Sequence, residues 1–293
     1  MKSPADDLRP LLDSWSYEEG KNIRRVKTPE GREVLQVRLP LGIEQYELDG
    51  RPDGRRPDES ESWYHVYRDR ADETPWDFTL DEESFERLRE ECMLYYHRYL
   101  LFFQINEYEL CVRDTERNLG VLDFTAKYGD TKMSESLEQY RPYILRMNVM
   151  AKALSEIQES GNVERAMEWI QEGLDAIDDL PVLENNSVFQ LEKARSQRSL
   201  QDLFRQLENH LPKSEESRLE EELKEAIDSE NYEEAARIRD EIRFLEENGI
   251  PEGAEGEAGE LPADVADSLD AIDFREAWVT RDPQERQDPP EDD

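Results

Sequence analysis

Apolar positions after Asp81 fall at Phe85, Leu88, Cys92, Tyr95, Tyr96, Tyr99 and Phe103, steps of three and four that mark one stripe along a helix. Asp81-Glu82-Glu83 supplies the acids that a helix N-terminus favours. The same period continues to about Glu247 and predicts further helices over 108–127, 137–159, 163–177, 188–211, 215–229 and 232–247. Pro142 lies near the start of its helix, where proline is tolerated, and Pro181 and Pro212 fall between helices. Upstream the period changes to two. Val34, Gln36 and Arg38 alternate with Leu35, Val37 and Leu39, predicting a strand over 33–39 flanked by strands at 22–27 and 43–48. Pro29-Glu30-Gly31 and the run from Asp49 to Gly54 read as turns. So small a β element must lean on the helices or on a partner.

A turn recurs along the helical part. Asn106, Asn162 and Asn231 are each followed closely by Tyr108, Val163 or Tyr232, then an acid, then Cys111, Ala166 or Ala235. Asparagine can cap the new helix, the Tyr or Val can fill the elbow, and the small residue lets two helices approach. This resembles the helical hairpins of the tetratricopeptide family. The elbow positions 108, 163 and 232 are unevenly spaced, however, whereas true repeats recur at about 34 residues. The expectation is an irregular array of helical hairpins, a form that typically presents its surface to other proteins.

Charge narrows the choice of partners. Lys and Arg number 37 against 73 Asp and Glu, a net charge of −36, and only 36% of residues are hydrophobic. Such a chain favours thin cores, and its field repels phosphate backbones, so no direct nucleic-acid partner is expected. Residues 21–56 run the other way, with nine Lys/Arg to six acids. They can neutralise acidic helices within the molecule or form a separate contact. The last 43 residues, 251–293, hold 15 acids and three arginines and read as a disordered tail. One island there, Leu269, Ile272, Phe274, Ala277 and Trp278, keeps helical spacing.

No secretory signal or membrane-spanning stretch is read, so a soluble, cytoplasmic protein is expected with no membrane partner. Cys92 and Cys111 are too few for a zinc site or a disulfide framework and are expected to be reduced core thiols. His97, among Tyr95, Tyr96 and Tyr99, is expected to be a packing histidine. Phosphate-loop, dinucleotide, nucleophile-elbow and HExxH patterns are missing. The expectation is therefore no catalytic residue, no metal and no cofactor, hence not an enzyme.

One segment is specific. Residues 215–248 carry Tyr232-Glu233-x-Ala235-Ala236-x-x-Arg239-Asp240, preceded by Leu219, Leu223, Ala226 and Ile227 and followed by Ile242 and Leu245. This closely resembles the UVR motif, the helical hairpin of the B and C subunits of the UvrABC excision nuclease, also found in some Clp chaperone subunits and their regulators. The resemblance implies contact between subunits, with a UVR-bearing protein, a Clp-type protein or a second copy as partner. Independently, Ala235, Ile238, Ile242 and Leu245 step by three, four and three, a coiled-coil-like seam faced by Leu219, Leu223 and Ala226 or Ile227. Glu233–Arg237, Arg237–Glu241 and Arg243–Glu247 are spaced as exposed i,i+4 pairs. The partner-binding set is Leu219, Leu223, Ile227, Tyr232, Ala235, Ile238, Arg239, Ile242 and Leu245, with no chemical role for Arg239.

The expected fold is thus mainly α. A small β-containing element occupies 1–70, a helical-hairpin array 79–211, the UVR hairpin 215–248 and the acidic tail 251–293. The expected function is a non-enzymatic interaction adaptor linked to excision repair or Clp-type proteolysis. The alternative is an acidic regulator that imitates DNA and occupies a DNA-binding partner.

Overall fold

The computed structural model describes residues 7–183, 186–210 and 231–248, with residues 219, 223, 226, 227 and 229 between the last two stretches. The tail at 251–293, its island at Phe274 and Trp278, and most of the expected 215–229 helix lie outside the described residues.

Described elements run α1 (Arg9–Ser14), β1 (Ile23–Lys27), β2 (Glu33–Leu39), β3 (Gly42–Glu47), then α2 (Trp63–Glu73), α3 (Glu82–Gln104) and α4 (Tyr108–Tyr128). They continue with α5 (Thr131–Glu138), α6 (Arg141–Ser160), α7 (Val163–Asp178), α8 (Ser187–His210) and α9 (Tyr232–Asn248). The fold is mainly helical, and its strands form one antiparallel sheet in the order β1-β2-β3. Ile23 faces Val37, and Leu35 faces Tyr46.

The sheet leans on the helices, as its size requires. Leu35 and Leu48 belong to the same apolar cluster as Val66, Leu88, Tyr99, Met147, Ile170 and Leu203, with Ile23 and Tyr46 packed against it. The opposite face is polar. Arg24 bonds Gln36 Oε1 through Nε and Nη2 (3.1 and 2.8 Å), and Gln36 bonds Gln45 (2.9 Å). Trp15 covers one end of that ladder. Arg24 stacks 3.9 Å from its ring centre, and Arg38 Nε donates to its carbonyl at 2.8 Å.

Helices reach further upstream than the pattern predicts. Both α1 and α2 lie in the stretch read as β-containing. Trp63, Val66, Tyr67 and Ala71 in fact have helical spacing, and Ser62 caps α2 by accepting from the His65 N–H (3.4 Å). The helix expected over 137–159 forms as α6 over Arg141–Ser160, and a separate short helix, α5, precedes it. Asp130 caps α5 through the Met133 N–H (2.8 Å), the chain breaks at Gln139-Tyr140, and Pro142 stands in the first turn of α6.

The three elbows differ. Asn162 caps α7 as predicted, accepting from the Arg165 N–H at 2.8 Å, and Asn231 accepts from the Glu234 N–H at 3.4 Å. Asn106 caps nothing. Its backbone is left-handed at φ +60°, its side chain accepts from the Tyr108 hydroxyl (2.8 Å), and Glu107 precedes α4 without a side-chain cap. Cys111, Ala166 and Ala235 are all buried where the helices approach, but only Tyr108 fills its elbow completely.

Helix α6 is the axis of the bundle, packed against α4, α7 and α8. Gly173 sets the α6–α7 approach, because a Cβ there would overlap Val149, with Cγ1 at 2.7 Å and Val149 Cβ itself at 3.0 Å. A rotamer change cannot clear both contacts. Alanine improves helix propensity by about 1 kcal/mol, whereas forced overpacking costs about 1–3 kcal/mol. We therefore expect Gly173→Ala to lower unfolding stability by up to about 2 kcal/mol in urea melts, with Val149→Ala in the same chain relieving the two Cγ contacts.

Candidate functional site

The predicted seam forms as far as its residues are described. Leu219, Ala226, Ala235 and Ile238 are buried together, with Leu223 and Ile242 packed against them, in a cluster separate from the main core. Asn231 N–H closes the elbow on the Ala226 carbonyl (2.8 Å), five residues back, so the first helix ends without an orphaned acceptor there. Of the two candidates for the facing stripe, Ala226 enters the seam and Ile227 does not: it is 51% exposed. Tyr232, expected to fill the elbow, is 69% exposed. Consecutive helical positions lie about 100° apart, and here Ala226 takes the seam while Ile227 falls outside it.

Arg239 lies on the exposed face, and the Leu245 side chain lies outside the described residues. Arg237 bonds Glu234, three residues back, at 2.5 Å. Seam and elbow thus separate the eight described residues of the predicted nine. Leu219, Leu223, Ala235, Ile238 and Ile242 hold the hairpin shut, while Ile227, Tyr232 and Arg239 face outward.

A second constellation lies beneath the loop after β3, in the basic stretch. Gly50 and Gly54 take positive φ (+62° and +71°), letting residues 49–56 double back over α3. Glu47 N–H bonds the Pro52 carbonyl (2.9 Å), and Asp53 Oδ1 accepts from Arg55 N–H (3.1 Å) and Arg51 Nε (2.9 Å). Under the loop Arg98, 1% exposed, grips Asp114 through Nε and Nη2 (2.6 and 2.8 Å). Its Nη1 donates to the Glu47 and Gly50 carbonyls, each at 2.8 Å. Arg113 reaches Asp49 (2.9 Å), the Leu48 carbonyl (2.6 Å) and Asp114 (3.0 Å).

Glu91 has no exposure at all. It accepts from the first N–H groups of α2, Trp63 (2.9 Å) and Tyr64 (3.2 Å), and pairs with Arg51 (3.2 Å) and Arg117. Burial works against the Arg117 charge, but Glu91 and its other neighbours outweigh that and hold its pKa above the ordinary value. Tyr95 lies between two guanidinium groups, 4.1 Å from Arg117 and 4.8 Å from Arg98. Burial raises its pKa and keeps the phenol protonated. The resulting cleft has a volume of about 800 Å³.

Only part of this is visible from spacing. Loop residues 51–56 stand out in sequence, but Glu91, Arg98, Asp114 and Arg117 read as ordinary charges on charged helices. The available signal is phase: Glu91 stands between Leu88 and Tyr95 on the buried stripe of α3, where a carboxylate needs partners. Both cysteines are buried and unpaired, and burial pushes the Cys92 thiol up to about 11 and the Cys111 thiol well above its usual range. Neither is a nucleophile at neutral pH. His97 is half-buried, and burial lowers its pKa.

Among the described residues, no group of three or more His, Cys, Asp or Glu is placed to hold a metal ion, and no helix is long and apolar enough to cross a membrane. No curated protein and no solved structure matches the chain. The family model described as the UvrB/uvrC motif matches residues 215–248, the hairpin built on the Leu219–Ala226–Ala235–Ile238 seam. The chain carries a UvrB/uvrC motif.

Proposed function

We propose that the chain is a non-enzymatic adaptor that docks a second UVR-bearing protein through its hairpin, with the helical bundle as scaffold. The observation that carries this reading is the division within the matched segment. Four side chains close the seam internally, while Ile227 and Tyr232 stand exposed near the turn. Exposed aromatic and aliphatic groups on either side of the turn of a small hairpin suit a hot spot, where large apolar side chains dominate binding energy. Excision-repair subunits and Clp-type chaperones, the settings implied by the motif, supply the candidate partners.

The test mixes the full chain, and a chain lacking residues 215–248, with purified UvrB-like, UvrC-like and ClpC-like proteins at several salt concentrations. The main apolar cluster holds no residue of the deleted segment. Docking through the hairpin predicts capture by at least one of these proteins, lost on deletion and weakly dependent on salt. An acidic mimic of DNA would instead keep binding after the deletion and lose it steeply as salt rises. Failure of all three to bind the full chain at low and moderate salt would reject both readings for these partners.

A further inference from the structure

Helix α8 buries one stripe along its length, at Phe189, Glu192, Ser196, Leu200, Leu203 and Leu207, in steps of three and four. The stripe has two chemically different halves. Leu200, Leu203 and Leu207 belong to the main apolar cluster. Phe189 is buried outside that cluster and is followed on the same face by a carboxylate and a hydroxyl.

Across from the polar half stands Arg146 of α6, 6% exposed. Its Nη1 donates to Ser199 Oγ at 3.3 Å, and its guanidinium lies 4.8 Å from the Tyr143 ring centre. Its Nε and the Ser196 hydroxyl are buried with no hydrogen-bond partner. Glu192 is 4% exposed, yet it pairs outward with Arg195, at 3.5 Å, and among the described residues no ion pair joins it to Arg146. A buried carboxylate and a buried guanidinium thus face each other's helices without direct contact, an arrangement that costs free energy on both sides. Segments held by few apolar contacts open more readily than the core around them, and the first half of α8 is such a segment.

Each packed element bears on the Glu192 charge. Burial raises its pKa, outweighing Arg146 on α6 and Arg195 on α8, which favour the charged form. Tyr140, beside the start of α6, is itself raised by burial, lowered less by Arg89 of α3, and raised again by Glu192. On the α7 side, Lys193 donates to the Asp178 carbonyl (2.8 Å) and Gln197 to its carboxylate (3.2 Å).

We infer that residues 187–199 of α8 are a proton-gated latch, closed on α6 when the Glu192 carboxyl is neutral and loosened when it is charged. In the open state that carboxyl is solvated and titrates in the ordinary carboxylate range, whereas in the closed state it keeps its proton to higher pH. Closure is therefore fully favoured below the ordinary value and weakens as pH rises through the raised one. Opening bares Phe189 and Arg146, so the proton decides whether that apolar and cationic strip is exposed. The latch belongs to the bundle, and its fate does not decide the adaptor reading.

The test is amide hydrogen exchange of the full chain between about pH 5 and about pH 8, corrected for the intrinsic rate and read separately over 187–199 and 200–209. The expected result is a fall in protection of roughly tenfold over 187–199 as pH rises, with 200–209, held by Leu200, Leu203 and Leu207, unchanged. Glu192→Gln keeps the shape without the charge, so it should hold the first half closed across the whole range. The inference is overturned if protection over 187–199 is flat or rises with pH in the wild type, if it falls equally in Glu192→Gln, or if both halves of α8 fall together. A rise with pH would make Glu192 the counter-charge of Arg146 instead.

Discussion

Replacing Glu91 with glutamine is expected to lower the stability of the main domain by about 3–5 kcal/mol, the usual cost of breaking a fully buried ion pair. The carboxylate has no solvent access and collects four donors: the N–H groups of Trp63 and Tyr64 and the guanidinium groups of Arg51 and Arg117. Glutamine keeps the shape and one acceptor. Its NH₂ then points at groups that are themselves donors, and two cations lose their counter-charge. Helix α2 also loses the anion at its positive end. By contrast, removing the exposed Lys21–Glu18 pair (2.8 Å), with side chains 76% and 63% exposed, should change stability by under about 1 kcal/mol. Urea unfolding of the two variants, followed by tryptophan fluorescence, makes the comparison. A Glu91→Gln loss below about 1 kcal/mol would mean that the network does not hold α2 and the loop to α3.

The same residue marks the limit of reading by pattern. Apolar periodicity located α3, α4, α6, α7, α8 and α9 within a few residues, because each carries one long stripe that must be buried. It also located the three strands, where the period of two is clean. It missed α1, α2 and α5, which are short; α2 and α5 are set by caps at Ser62 and Asp130, and α2 also by the Glu91 carboxylate. Hydrophobicity alone does not register those features. The hairpin seam was legible for the same reason as the long helices. What it left open, Ala226 or Ile227, was a matter of 100° of helix phase that only the partner strip decides. The cleft was the least legible part. A buried arginine and a solvated one are the same letter in a sequence with 37 basic residues, and only geometry brings Arg98, Arg113 and Arg117 under residues 49–56.

Ile238→Asp is expected to undo the hairpin and leave the bundle intact. Ile238 is 2% exposed, packed with Leu219, Ala226 and Ala235, and no polar partner lies among those side chains. An unpaired carboxylate there costs several kcal/mol, more than a 34-residue hairpin with four buried side chains among its described residues can offset. The expected readout is lost helical signal, rapid proteolysis between residues 219 and 248, and an unchanged main unfolding transition, because the large apolar cluster contains none of these residues. Partner capture should fall to background. Tyr232→Ala supplies the complement. Tyr232 is 69% exposed, so its removal should change stability by no more than about 0.5 kcal/mol while weakening capture at least tenfold if the elbow is the contact. Loss of capture in both variants, with the fold lost in only one, separates a seam that shapes the docking surface from the surface itself. Full capture by Tyr232→Ala with loss in Ile238→Asp would move the contact from the elbow to the outer faces of the two helices. Full capture by both would end the hairpin's claim to docking.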